Sequence, residues 1–183
     1  MASTPDLGPI EVGRRRGDEQ FHHAGGHLPF DVLGFWQWSC SDLVSNATRG
    51  ILAEYLVAQA IGVADGVRDE WAPYDLTASD GTRIEVKSAA YIQSWHQGRP
   101  SAISFNVRKT HAWDRQTNRE SEELCRQADV YVFALLSHRD QATLDPLDIS
   151  QWEFFVVPTI ELDNRKRSQY SITLRSLRAL AGP

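Results

Sequence analysis

The sequence predicts an α/β protein of the α+β kind, with a mixed central sheet and helices on both of its faces. Three observations carry this. Asn46–Ile61 has the composition of a largely buried helix, Trp71–Ile92 reads as a β-hairpin, and Val130–Leu136 is an unbroken apolar run of seven residues. A helix and two strand segments of this kind must bury their apolar faces against one another, which makes a layered core.

The elements follow in order. Met1 to Gly26 is rich in glycine, charge and histidine, and is expected to be a poorly ordered leader ahead of a single domain over residues 27–183. Gly34–Leu43 is aromatic and is expected to cover the core beside the main helix. Asn46 is the expected N-cap of that helix and Gly62 its stop. Between them Ile51, Leu52, Ala53, Tyr55, Leu56, Val57, Ala58, Ala60 and Ile61 leave little polar surface, which predicts burial on most sides. After the hairpin, Ile103, Phe105 and Val107 alternate within Ser101–Val107 and predict a third strand. Arg119–Gln127 reads as a helix, Val130–Leu136 as a buried strand, and Trp152–Pro158 as another strand after the turn-rich Asp145-Pro146-Leu147-Asp148. Ser171 is the expected cap of a last helix carrying Leu174, Leu177 and Leu180.

Composition narrows the function classes. A chain of 183 residues with 42% apolar content and six tryptophans is long enough for one domain with a real core. No apolar run approaches the ~20 residues of a membrane span, and the N-terminus has no signal-peptide pattern. Cys40 and Cys125 are too few for a disulfide framework and fit a reducing, cytoplasmic location. No glycine loop of the nucleotide-binding types and no Gly-x-Ser-x-Gly elbow occurs, so neither nucleotide cofactors nor a serine hydrolase is indicated. His22, His23 and His27 cluster in the leader and read as incidental.

The net charge of −5 argues against indiscriminate nucleic-acid binding, but the charge is uneven. Arg99, Arg108, Lys109, Arg115 and Arg119 meet only Asp114 in their window, which is +4 and leaves −9 for the rest. His111 and Trp113 lie within it and Trp95 just before it. Basic charge interleaved with aromatics can follow a phosphate backbone and stack on bases, the alternative being a solvated loop. Arg165-Lys166-Arg167, with Arg175 and Arg178, is a second and weaker basic group.

The chemistry sits in the hairpin. Glu85 and Lys87 are two residues apart on one strand and share a face, while Ile84 and Val86 take the other. Asp75 joins them only in one register. A two-residue Asp80-Gly81 turn sets Asp75 opposite Val86, on the wrong face. A three-residue Ser79-Asp80-Gly81 loop sets it opposite Glu85. A metal site therefore requires the three-residue loop. Glu54, in the middle of the apolar helix, is a third acid. A carboxylate in such a setting is paired or binds a metal, and the structural alternative is an ion pair with Arg49 or Arg83.

A helix acid, an aspartate and then Glu-x-Lys on a strand resembles the PD-(D/E)xK superfamily, the restriction-endonuclease-like nucleases. The motifs here are Arg49-Gly50-Ile51-Leu52-Ala53-Glu54-Tyr55, Pro73-Tyr74-Asp75 and Ile84-Glu85-Val86-Lys87-Ser88, and Gln93 resembles the glutamine that follows the lysine in some branches. Tyr74 separates Pro73 from Asp75, so the Pro-Asp dipeptide is not literal. The resemblance implies a core of order αβββαβ, here with an extra C-terminal strand and helix. It implies a Mg2+-dependent nuclease, with Mn2+ able to substitute, that leaves a 5′-phosphate. Asp75, Glu85 and the Val86 carbonyl would ligate the metal, with Glu54 direct or through water. Lys87 would act on the attacking water and the phosphate, and Gln93 would hold a metal-bound water or a phosphate oxygen. DNA is the expected partner, with RNA, a homodimer and a non-catalytic nucleic-acid- or protein-binding module on the same fold as open alternatives.

Overall fold

The structure is a computed structural model and describes residues 7–182. Gln20–His23 (β1) and Gly26–Asp31 (β2) pair antiparallel across a turn in which Ala24 and Gly25 have φ of 48° and 84°. The boundary expected after Gly26 falls at the start of β2, and residues 1–6 lie outside the described residues. Val32–Cys40 (α1) is capped by the Asp31 carboxylate, which accepts from the Gly34 N–H at 2.8 Å.

The expectation that Gly34–Leu43 covers the core is corrected. No residue of α1 is buried, and Leu33, Phe35 and Trp38 stand in solvent. The cause is where the helix is tied: the Val32 and Leu33 N–H groups donate to Glu19 and Gly17, and Trp36 lies against Gly17. The helix is held by the segment before β1 and by β2, away from the central sheet.

Asn46–Ala60 (α2) is capped one residue earlier than expected, because Ser45 rather than Asn46 accepts from the Thr48 N–H. It ends where Gly62 takes a φ of 73°. Arg49, Ala53 and Val57 form a buried stripe at helical spacing. Ile51 and Tyr55 are exposed, so the helix is buried on one face rather than most sides.

The central sheet runs Leu76–Thr77 (β3), Arg83–Ala90 (β4), Val130–Leu136 (β8) and Trp152–Pro158 (β9), in that spatial order. β4 and β8 are parallel and the outer pairs antiparallel, which makes the sheet mixed. β8 is apolar throughout because both of its faces are covered. Val132, Ala134 and Leu136 pack with Ala53, Val57, Ile84 and Val86 under α2. Tyr131, Phe133 and Leu135 pack on the other face with Leu162, Ile172 and Leu177. Those last three residues come from Thr159–Asp163 (α3), Ser171–Thr173 (β10) and Leu174–Ala181 (α4). Leu177 is fully buried, and the last helix is capped by Thr173 rather than the expected Ser171, which is in β10.

Two further expectations are corrected between β4 and β8. Ser101–Val107 contracts to Ser104–Asn106 (β5) and pairs with β10 in a separate two-stranded sheet, with Phe105 opposite Ile172. Arg119–Gln127 is not helical. Arg119–Glu120 (β7) pairs with Trp113–Asp114 (β6), and Cys125 bridges to Thr110. The helix formers in this stretch have no apolar stripe to bury, since Leu124 is exposed. Propensity alone is weak against tertiary pairing.

Arg126 shows what replaces a helix there. Its buried guanidinium donates to the Val107 carbonyl at 2.9 Å, to the Gln169 carbonyl and amide oxygen, and to Asp163. One side chain thus ties the crossover segment to α3 and to the loop before β10. Arg126→Ala leaves these acceptors without their donor and is expected to destabilise the fold by about 3 kcal/mol or more. Urea unfolding measures this as a fall in midpoint at unchanged slope.

Candidate active site

The loop between β3 and β4 is of the three-residue type. Ala78 donates to Thr82 and Gly81 donates back to Ala78, each at 2.9 Å. Gly81 has φ of 90°, the left-handed conformation this loop requires, and the Asp80 carboxylate holds the Thr82 N–H at 2.9 Å. Leu76 pairs with Ile84 and Thr77 with Arg83, so the register continues to set Asp75 opposite Glu85. This is the register a metal site requires.

The Asp75 carboxylate accepts from the Val86 N–H at 2.6 Å, where β3 has ended and no ladder bond competes. Lys87 donates to Glu85, and both side chains are largely covered. Glu54 is ion-paired to Arg68, whose Nη2 lies 3.1 Å from Oε1. Neither Arg49 nor Arg83 pairs with Glu54. Arg83 forks onto Asp129 at the start of β8. Arg49 is buried and donates to Ser88 Oγ, the Val44 carbonyl, Asn46 Oδ1 and Gln93 Oε1.

Gln93 is therefore held inside the protein. Its amide oxygen accepts from Arg49 and its nitrogen donates to the Ala90 carbonyl at 2.9 Å and to Ser101. Arg68 is the residue sequence reasoning missed. It lies 14 residues after Glu54 in a loop, and no periodicity links the two.

Asp75 is the centre of the electrostatics. Burial, then the neighbouring Glu85, and further off Glu54, push its carboxyl up to about 7; the Val86 N–H and Lys87 pull the other way but do not prevail. Glu85 also helps burial hold the Tyr131 hydroxyl above its usual range. Glu54, Arg68 and Asp75 line one cleft of about 430 Å³ together with Ile51, Tyr55 and Tyr74. Among the described residues, no three His, Cys, Asp or Glu side chains stand close enough to enclose an ion. Two of the acids are held by cations instead: Arg68 pairs with Glu54 and Lys87 with Glu85.

The five basic candidates separate into groups. Arg115 and Arg119 line a second cavity with Trp71, Trp113 and Tyr74, which shares Asp69, Ala72 and Tyr74 with the cleft. Arg115 is also paired with Asp69 at 2.7 Å. Lys109 faces Asp163 at 3.6 Å, and Arg108 lies 5.3 Å from the Tyr170 ring centre. Arg99 is exposed in the loop after β4.

A mixed sheet flanked by helices, with two acids and a lysine directed by one hairpin, defines a restriction-endonuclease-like α/β core. The family model described as Bacteriophage T4 endonuclease IV matches residues 37–175, and the chain belongs to that family, within the PD-(D/E)xK-like endonuclease superfamily. No curated protein and no solved structure matches the chain.

The raised Asp75 carboxyl makes stability depend on pH with a definite sign. Unfolded, the group ionises near its ordinary value of about 3.9; folded, it keeps its proton to about 7. Between these values the folded state binds more protons, so its contribution to stability is present at low pH and is lost as pH rises through 7. Asp75→Asn is expected to flatten this dependence and to stabilise the metal-free protein at pH 8 by on the order of a few kcal/mol. Urea unfolding in EDTA from pH 5 to 8 measures both, and a variant that keeps the wild-type pH slope would show that Asp75 is not the group.

Proposed function

We propose that the chain is a divalent-metal-dependent nuclease that hydrolyses phosphodiester bonds in DNA. The observation that carries this is the register of the hairpin. It sets Asp75 opposite Glu85 and puts Lys87 beside Glu85 on the same face. Burial and neighbouring acids leave the Asp75 carboxylate short of positive charge. A hard cation would supply that charge, and the donors here are all oxygen, as Mg2+ or Mn2+ requires.

Asp75 and Glu85 would hold the ion, helped by the Val86 carbonyl, which lies on the strand edge whose N–H already meets Asp75. When bound, the metal supplies charge stabilisation at the phosphate and a more acidic water. Lys87 would then leave Glu85 to orient the attacking water and to steady charge on the phosphate. Glu54 would join through water once Arg68 turns to the substrate. Gln93 would act at one remove, by holding Arg49 and the end of β4. Trp71 and Trp113, with Arg115 and Arg119 and the acids Asp69, Asp114 and Glu120, line a groove next to the cleft whose aromatic faces suit bases. Free Cys40 and Cys125 fit a cytoplasmic enzyme. Among the described residues no helix is long and apolar enough to cross a membrane.

The hold of Arg68 on Glu54 favours a second reading, a non-catalytic nucleic-acid-binding module on the same fold. One experiment separates the two. Purified protein with circular, linear, branched and single-stranded substrates is expected to cut with Mg2+ or Mn2+ and not with EDTA. Lys87→Ala is expected to lose activity by about 10²-fold or more. The same variant should keep the metal-induced rise in stability, about 2.7 kcal/mol at a hundredfold excess over the dissociation constant. Wild-type protein that binds these substrates but cuts none with either metal would establish the binding module. Full metal-dependent cutting by Lys87→Ala would remove the lysine from the mechanism.

A further inference from the structure

The basic residues near the C-terminus are not used by the site above. Arg165, Lys166, Arg167 and Arg175 line a cavity of about 510 Å³ together with the hydroxyl residues Thr173 and Ser176, and among the described residues no acid lines it. In a chain of net charge −5 this is an unusual concentration of positive charge.

The cavity is built rather than incidental. Gln169 donates from Nε2 to the carbonyls of Leu162 and Arg165, the latter at 2.7 Å, which folds the Asn164–Tyr170 loop back on itself. The buried Arg126 holds Gln169 in turn. On the opposite wall, α4 begins at its Thr173 cap. A helix N-terminus favours negative charge, yet the first turn of α4 contains no acid and carries Arg175.

Two further details concern Arg165. The Nη1 atom of Arg165 is buried and has no hydrogen-bond partner among the described residues. Such an orphan donor is rare, because it loses water without compensation. Burial lowers the pKa of Arg165, and the like charges of Arg126 and Arg167 add to this. Guanidinium groups, a lysine, hydroxyls and helix N–H groups in one concavity are the donors that a phosphate takes.

We propose that the cavity between the Arg165–Arg167 loop and the start of α4 is a second phosphate-binding site, which takes a phosphodiester group of the nucleic-acid strand away from the scissile bond. It rests on the nuclease reading for its choice of a strand over a free phosphate. Its position suits that role. β10 and α4 cover the face of the sheet that carries Ala89, and Glu85 and Lys87 project to that face by strand alternation.

The test measures binding without cleavage. Labelled single-stranded and duplex oligonucleotides are titrated in EDTA by fluorescence anisotropy against wild type and against Lys166→Ala with Arg175→Ala. Both residues are exposed, so the fold should persist, as circular dichroism checks. Affinity is expected to fall about tenfold. The slope of log affinity against log salt should lessen by about 0.7 to 0.9 per lost contact. Arg178→Ala, on the same helix but paired with Glu153, should bind as wild type does. Inorganic phosphate should raise the melting temperature of wild type and not of the double variant.

Equal oligonucleotide affinity and salt slope for wild type and double variant would overturn the proposal. If phosphate still stabilised only wild type in that case, the cavity would be a site for a free phosphate compound. An equal loss of affinity in Arg178→Ala would also overturn it, because general charge would then be the cause. Pocket-dependent binding in a protein that never cuts would leave this inference standing and remove the nuclease reading. Metal-dependent cutting with pocket-independent binding would do the reverse.

Discussion

The hairpin between β3 and β4 sets a constraint on which the site depends. Side chains on a strand alternate, so one residue more or less in the loop would carry Asp75 to the opposite face from Glu85 and Lys87. The left-handed Gly81 and the Asp80 cap on Thr82 select the three-residue loop. What makes this register necessary is burial further along. β4 must turn Ile84, Val86 and Ala90 to α2, because Ala53 and Val57 wait there. With β4 fixed by packing and parallel to β8 over seven residue pairs, Glu85 and Lys87 have no choice of face. The loop then decides only whether Asp75 joins them.

Electrostatics add a second layer. Of the three acids, Glu54 and Glu85 each have a cation, and Asp75 has only a backbone N–H. A uniform cluster would leave all three partly compensated. Here the imbalance is concentrated in one carboxyl, pushed to about 7 by burial and by Glu85. Charge that cannot be neutralised locally is either protonated or completed by a ligand. The position of Arg68 decides whether Glu54 faces the cleft free or engaged.

Much of this was legible from the sequence, for identifiable reasons. Val130–Leu136 and Trp152–Pro158 match strands residue for residue, because a strand buried on both faces and a strand ending in proline leave strong local marks. The Asp75–Glu85 register was legible as a choice between two loops, and the left-handed Gly81 with the Asp80 cap on Thr82 made the choice. Arg119–Gln127 misled because Arg, Glu, Leu and Gln favour a helix while the stretch is consumed by pairing back onto the preceding Thr110–Asp114 segment. Gly34–Leu43 misled because an aromatic composition says that a segment wants partners, not which ones. Arg68 left no mark at all: its meeting with Glu54 is tertiary, made by the path of a loop.

The absence of a helix over Arg119–Gln127 has a structural consequence for the lower face of the sheet. A parallel pair needs a long crossover, and a helix is the usual way to cover the strands it joins. In this chain the crossover brings β5 instead, which pairs with β10 and packs Phe105 edge-on to Phe133, their ring centres 5.1 Å apart. The cover of β8 is thus shared between the middle of the chain and its C-terminal end. Arg126 joins the two halves through Val107 and Gln169. The loop it anchors is the one that presents Arg165, Lys166 and Arg167. The interaction that replaces the crossover helix therefore also shapes the basic cavity, and ties its geometry to the same core that orients Glu85 and Lys87.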